Sequence, residues 1–163
     1  MTHVFSEEPA LPHPALIEAD WADRYAVVSP ERAMPAIRAA HLALGQSPVW
    51  VRGLLDIRNR VVAPFGLKAA EMNPGEAGFV GAFAIVSERN DQVVLGFDDK
   101  HLDFRIVIEV ASAGTAGSKV SVTTLVNRHN IFGRLYILAI TPFHRLIVRT
   151  TLGRLAGPPV VSR

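Results

Sequence analysis

The sequence predicts an α+β domain in which a curved antiparallel β-sheet wraps around one long C-terminal helix, with two helices after the first strand. Three observations carry this expectation. The second half of the chain holds several short strand-like runs joined by tight polar links. A strongly apolar segment, LYILAITPFHRLIV from Leu135 to Val148, follows them. Earlier, Ser29-Pro30 and Ser47-Pro48 each offer an N-cap followed by proline at the first helical position.

The elements follow in order. Residues 1–15 are rich in Pro and His without sustained periodicity and read as an extended N-terminal arm; residues 16–163 read as a single domain. Ala19 to Val28 alternates through Trp21, Asp23, Tyr25 and Val27, as a first strand does. From Ser29-Pro30 a helix with Met34, Ile37 and Leu44 runs to Gly45, with Pro35 in or near its first turn. From Ser47-Pro48 a second helix runs until Pro64 and Gly66 stop it. Phe83 to Glu88 and Gln92 to Phe97 are strand-like and separated by Arg89-Asn90-Asp91. Asp98-Asp99-Lys100 precedes HLDFRIVIEVA, and a Gly/Ala-rich link from Ala113 to Gly117 precedes SKVSVTTLVNR. Links this short favour an antiparallel meander, because parallel neighbours need long crossovers.

The last element extends from about Asn130 to Leu155. On a helical projection, Arg134, Thr141, Arg145, Arg149 and Leu152 share one arc, and apolar residues fill a much wider one. A helix so apolar is expected to be nearly enclosed by protein, leaving a narrow basic stripe in water. Its length would be roughly 39 Å, enough to cross a sheet. Pro142 removes a backbone donor and is expected to bend it, leaving the Leu138 carbonyl without its usual partner. The charge-free run from Leu135 to Phe143 is too short to span a bilayer, which takes about 20 apolar residues.

Composition bounds the function. A chain of 163 residues is the size of one ordinary domain, and 49% hydrophobic with 20% charged residues is a globular balance. The absence of cysteine excludes disulfides, thiolate metal sites and cysteine nucleophiles, and fits a reducing compartment. The N-terminus has neither a basic start nor a continuous apolar segment, so a cytoplasmic location is expected. A net charge of +2, without any Lys/Arg run, argues against nucleic acid as a partner. No GxSxG, P-loop, GxGxxG or HExxH motif occurs, so no cofactor and no metal is expected.

ADWADRYAV, LLDIRNRVVAPFGLK, LGFDDKHLDFRI and RLYILAITPFHRLIVR resemble signature stretches of a bacterial domain family of unknown function. The element order is similar to the helix-grip fold of START-like lipid-transfer domains, plant pollen allergens and polyketide cyclases. Members of the bacterial family occur alone or behind a short-chain reductase domain, and this chain, lacking a Gly-rich reductase portion, would be a stand-alone member. The resemblance implies a fold and a cavity, and no particular reaction.

Three places in the sequence hold candidate chemistry. His144 lies within the apolar arc near Ile137, Ile140 and Thr151; it is either a core histidine bonded to a backbone group or water, or the lining of a pocket beneath the helix. Arg58 projects between the apolar stripe of Trp50, Leu54, Ile57 and Val61 and the neighbouring Val51, Leu55 and Val62; it either snorkels outward or presents its guanidinium to a carboxylate inside. In DDKHLDFR, His101, Asp103 and Arg105 share one strand face, and Leu102, Phe104, Ile106 and Ile108 the other. The simplest account turns the apolar set toward the helix and sets Asp103 between two cationic neighbours outside; an acid/base or metal site is the alternative.

These readings converge on the binding of a hydrophobic or amphipathic small molecule between the sheet and the C-terminal helix. Trp50, Leu54, Arg58, Phe104, Tyr136, Ile140 and His144 are the expected lining. The alternatives are a cyclase- or hydrolase-type enzyme using His144, Asp103 and Arg58, and an interaction module associated with reductases. A homodimer is one open assembly. Surface attachment through Arg134, Arg145 and Arg149 is a further reading, disfavoured because the apolar arc is too wide for a helix lying on lipid.

Overall fold

Alternating side chains in the second half of the chain demand a sheet with one strongly apolar face, and the computed structural model builds it. It describes residues 3–45, 56, 59, 60, 63–66 and 77–157. Seven strands form one antiparallel sheet: β1 (Phe5–Glu7), β2 (Trp21–Ser29), β3 (Phe79–Val80), β4 (Phe83–Glu88), β5 (Gln92–Asp98), β6 (Leu102–Ser112) and β7 (Ser118–Arg128). Their spatial order is β1-β2-β7-β6-β5-β4-β3. The two longest strands, β6 and β7, pair without a register shift from Leu102↔Arg128 to Ser112↔Ser118. A helix α1 (Ala36–Leu44) and a long helix α2 (Ile131–Gly153) complete the described elements apart from short 3-10 turns. This is the expected α+β arrangement, consistent with a helix grip.

The apolar alternation sorts the sheet into two covered faces. On the inner face Tyr25, Val27, Leu95, Ile108, Val120 and Val122 join one core with the C-terminal part of α2, through Val148 and Leu152. Helix α1 packs there by the small residues Ala36, Ala39, Ala40 and Ala43, whose spacing puts them on one stripe. On the outer face Val94, Val107 and Leu125 lie under Ala15, Leu16 and Ala19 of the segment before β2. Coverage on both sides explains why RIVIEV reads as a nearly continuous apolar run.

Two boundaries differ from the sequence expectation. The first helix starts at Ala36 and not after Ser29-Pro30. Ser29 is the last residue of β2, paired with Ser118, and Ala33 has φ +52°, which no α-helix accommodates. Pro35, in extended geometry, becomes the N-cap, and the Ala36 N–H is satisfied by the Asn90 carbonyl at 2.8 Å. The N-terminal arm contributes β1, an edge strand in register with Arg24 to Ala26. Most of the second expected helix falls outside the described residues, although Asp56, Asn59 and Arg60 are helical.

Helix α2 begins on Asn130, whose side-chain oxygen accepts from the Gly133 N–H at 3.1 Å. It runs through Pro142 as one element of 23 residues. Near-enclosure, however, is not what the structure shows. Gly133, Ile137, Val148, Thr151 and Leu152 are buried, whereas Leu135, Leu138, Phe143 and Leu146 are more than half exposed. A cylinder laid on a sheet touches it along one side, and no described element forms a layer over the other. Although the charge-free run is short, Ile131–Ala156 is long enough, and holds an 18-residue stretch of mean hydropathy 1.4 apolar enough, to cross a membrane by length and composition alone.

At Gly133 helix α2 lies close against the backbone just before β6. A Cβ placed there would stand 2.4 Å from the His101 carbonyl oxygen, so the helix can sit this near only because the residue has none. Gly133→Ala would gain up to about 1 kcal/mol in helix propensity. The clash is with backbone, which cannot turn aside, and overpacking of this kind costs about 1–3 kcal/mol. Urea unfolding should therefore show a net loss of stability for Gly133→Ala; a gain would mean that the helix is not pinned at this point.

Candidate functional site

The inner side of β2 carries one acidic residue, Asp23, among mostly apolar neighbours. Alternation points Trp21, Asp23, Tyr25 and Val27 the same way, and the register sets Asp23 directly opposite Thr124 of β7. His144 descends on this pair from α2. Its Nε2 lies 3.0 Å from Asp23 Oδ2, 3.2 Å from Asp23 Oδ1 and 3.3 Å from Thr124 Oγ1. The Oδ1 and Thr124 contacts meet hydrogen-bond geometry, whereas Oδ2 is fully buried and, despite its short distance, has no hydrogen bond. Trp21 meets the imidazole edge-on, with ring centres 5.9 Å apart.

This geometry constrains the chemistry. A carboxylate against Nε2 places the proton on that nitrogen, leaving Nδ1 as the acceptor of a neutral ring. Among the described residues Nδ1 has no hydrogen-bond partner. A hydroxyl–imidazole–carboxylate relay needs its hydroxyl and its carboxylate on opposite ring nitrogens. Here both approach Nε2, so Thr124 is not a nucleophile activated by His144. The pair instead fixes the ring and presents Nδ1 to whatever lies beside it.

Apolar and aromatic groups surround this fixed imidazole. Tyr136, Ile140 and His144 follow one another at intervals of four residues and so lie on one stripe of α2, all of them half-buried. Tyr136 and Ile140 pack with Trp21, Phe97 and Phe104 around buried Leu102, Val126 and Ile137. Phe104 lies 5.4 Å from Phe97 and 5.7 Å from Phe83, ring centre to ring centre, so the three rings form one aromatic cluster on the inner face. Of the residues expected to line a site, Phe104, Tyr136, Ile140 and His144 therefore share one region. Trp50, Leu54 and Arg58 lie outside the described residues. Sequence reasoning missed Asp23, Thr124 and Trp21 as partners of His144, although an aspartate at an inward position of β2 was a visible signal.

Asp103 occupies the other face of the sheet. It alternates with inward Leu102 and Phe104, and it meets His129 Nε2 at 2.8 Å and Asn127 at 3.4 Å. Asp103 and His144 thus do not converge on one point. Arg105 turns to the carbonyls of Phe97 and Phe104 and to Asp98 at 2.8 Å, and His101 Nδ1 lies 3.0 Å from the Asn130 side-chain nitrogen. The charged face is outward, as the alternation predicts, but the cation beside Asp103 is His129 and neither neighbour on β6.

Two clefts lie away from the aromatic region. One, of about 280 Å³, is lined by Arg24, Glu109 and Lys119 on the outer face. Its charges satisfy one another, since Arg24 binds Glu7 at 2.9 Å and Glu109 at 2.6 Å, and Lys119 binds Glu7. The hydrogen bond from Lys119, with that from Arg24, holds the Glu7 carboxyl below the usual carboxylate range against the opposing effect of burial. The other, of about 350 Å³, lies among Arg32, Asn90, Ser112 and Gly117 near the start of α1.

A family described as "Protein of unknown function (DUF2867)" matches residues 15–151. No curated protein and no solved structure matches the chain.

The titration of the His129–Asp103 contact has a clear sign. The ring donates from Nε2 to Asp103 and from Nδ1 to the Lys100 carbonyl, at 2.8 and 3.2 Å, an arrangement that only the imidazolium satisfies fully. The Asp103 hydrogen bond, then that of Lys100, raises the His129 pKa above its ordinary value. The stability it contributes is complete below the unfolded-state pKa of about 6.5 and is lost as pH rises through the higher folded value. Urea unfolding across neutral pH should show that decline, and Asp103→Asn should flatten it; an unchanged slope in the variant would exclude this pair as its source.

Proposed function

The chain belongs to the DUF2867 family, whose function is unknown, and from that premise we propose that it binds a hydrophobic or amphipathic small molecule between the inner face of the sheet and α2. The observation that carries the reading is the oriented imidazole of His144 set into an aromatic, half-buried surface. Asp23 and Thr124 occupy one ring nitrogen, and in the neutral ring the other is then a lone acceptor. Ligand sites commonly combine an apolar lining with a few fixed polar groups that set orientation.

Chemistry narrows the ligand further. In its neutral form the ring accepts a hydrogen bond at the nitrogen that Asp23 and Thr124 leave open. The favoured molecule therefore pairs an apolar body, matched to Phe104, Tyr136 and Ile140, with a hydroxyl or N–H donor directed at His144 Nδ1.

Native mass spectrometry of the full chain, purified without denaturation, is expected to reveal a bound apolar molecule carrying such a donor. Loss of one neutral hydrogen bond is worth about 0.5–1.5 kcal/mol, so His144→Phe should weaken its binding by roughly threefold to tenfold while thermal unfolding confirms a folded chain. Phe104→Ala should weaken binding as well. Unaltered affinity in both folded variants would sink the proposal.

A further inference from the structure

The far side of α2 presents an apolar stripe to solvent. Leu138 is 73% exposed, Leu135 and Leu146 are each 56% and Phe143 is 54%. At about 100° per residue these four fall on the arc opposite buried Ile137, Val148 and Thr151. Single exposed leucines are ordinary on protein surfaces, but four large side chains on one helix face form a contiguous patch of the kind that marks an interaction site.

Charge says what covers it. Arg134 and Arg145 are exposed along one border of the stripe and Arg149 projects between Leu138 and Leu135, one turn or more beyond them; none of the three forms an ion pair among the described residues. No acidic residue follows Glu109, so seven of the 17 Lys/Arg and none of the 15 Asp/Glu lie in the remainder of the chain. A second copy meeting the patch about a two-fold axis would set these arginines against one another with no acid on the helix to receive them. Nucleic acid would use the arginines but has no place for the leucines. An anionic lipid surface uses both, since headgroup phosphates receive guanidinium and the acyl boundary receives Leu and Phe.

We propose that the outward face of α2 is a docking surface for an anionic membrane. The helix lies along the surface, with Leu135, Leu138, Phe143 and Leu146 in the acyl boundary and the arginines extended to the headgroups. It does not cross the bilayer in this state, because Gly133, Ile137, Val148 and Leu152 hold its other side to the protein. The width of the apolar arc, which disfavoured this reading when the helix was expected to be enclosed, is divided between two environments. One flank belongs to the sheet and the other to lipid. The proposal uses only the outward face and does not depend on His144.

The test is sedimentation of the full chain with vesicles of phosphatidylcholine alone and of equal parts phosphatidylcholine and phosphatidylglycerol. Binding is expected to the anionic vesicles and to fall as added salt shortens the screening length. Arg145→Gln with Arg149→Gln should weaken it by about fivefold per arginine. Leu138→Glu with Leu146→Glu should reduce it at least as much, without lowering the thermal midpoint, since both side chains are exposed. Absence of binding to anionic vesicles would overturn the proposal, as would equal binding by the leucine variant. A dimer that this variant abolishes, with no vesicle sedimentation, would overturn it in favour of a second copy.

Discussion

The position of α2 depends on two contacts of opposite character. At its start Gly133 lies against the backbone of His101, and at its end Leu152 is fully buried in the core beside α1. Between them the helix bridges the inner face of the sheet, and its height there is set by the ends. A glycine permits van der Waals approach of two backbones, whereas a leucine fills the space beneath it. The middle of the helix therefore lies over side chains that are only half covered, among them Trp21, Phe97 and Phe104. His144 reaches Asp23 across that interval.

Burying a carboxylate is costly unless a partner offsets the lost hydration. Asp23 has one hydrogen-bond partner, His144, while Oδ2 is left without a hydrogen bond. A purely structural site would gain by replacing such a pair with apolar side chains. Retaining it costs stability, and this cost is what makes the imidazole's orientation, and not its bulk, the significant feature of the inner face.

Much of the architecture was legible because strand and helix periods differ so strongly. SKVSVTTLVNR coincides with β7 residue for residue, and the inward set of Leu102, Phe104 and Ile106 follows from alternation alone. What alternation does not encode is the angle at which a helix sits on a sheet. The wide apolar arc of α2 therefore read as enclosure, when half of it faces outward. The Asp23–His144 contact spans 121 residues, beyond the reach of any local pattern. Ser29-Pro30 misled because pairing with Ser118 keeps Ser29 in the sheet. The one-sided distribution of acids, by contrast, was present in the sequence but hidden by a near-neutral total charge.

The ends of the sheet bear on how the molecule meets others. Its edge strands are β1, of three residues, and β3, of two, and β4 is interrupted by a register shift between Ile85 and Ser87. Short and irregular edges offer few consecutive free N–H and C=O groups for another chain to extend. Strand-by-strand growth into aggregates is thereby discouraged, even though the central strands are rich in β-branched residues. Such a molecule can keep an apolar helix face uncovered without also presenting a template for fibril-like pairing.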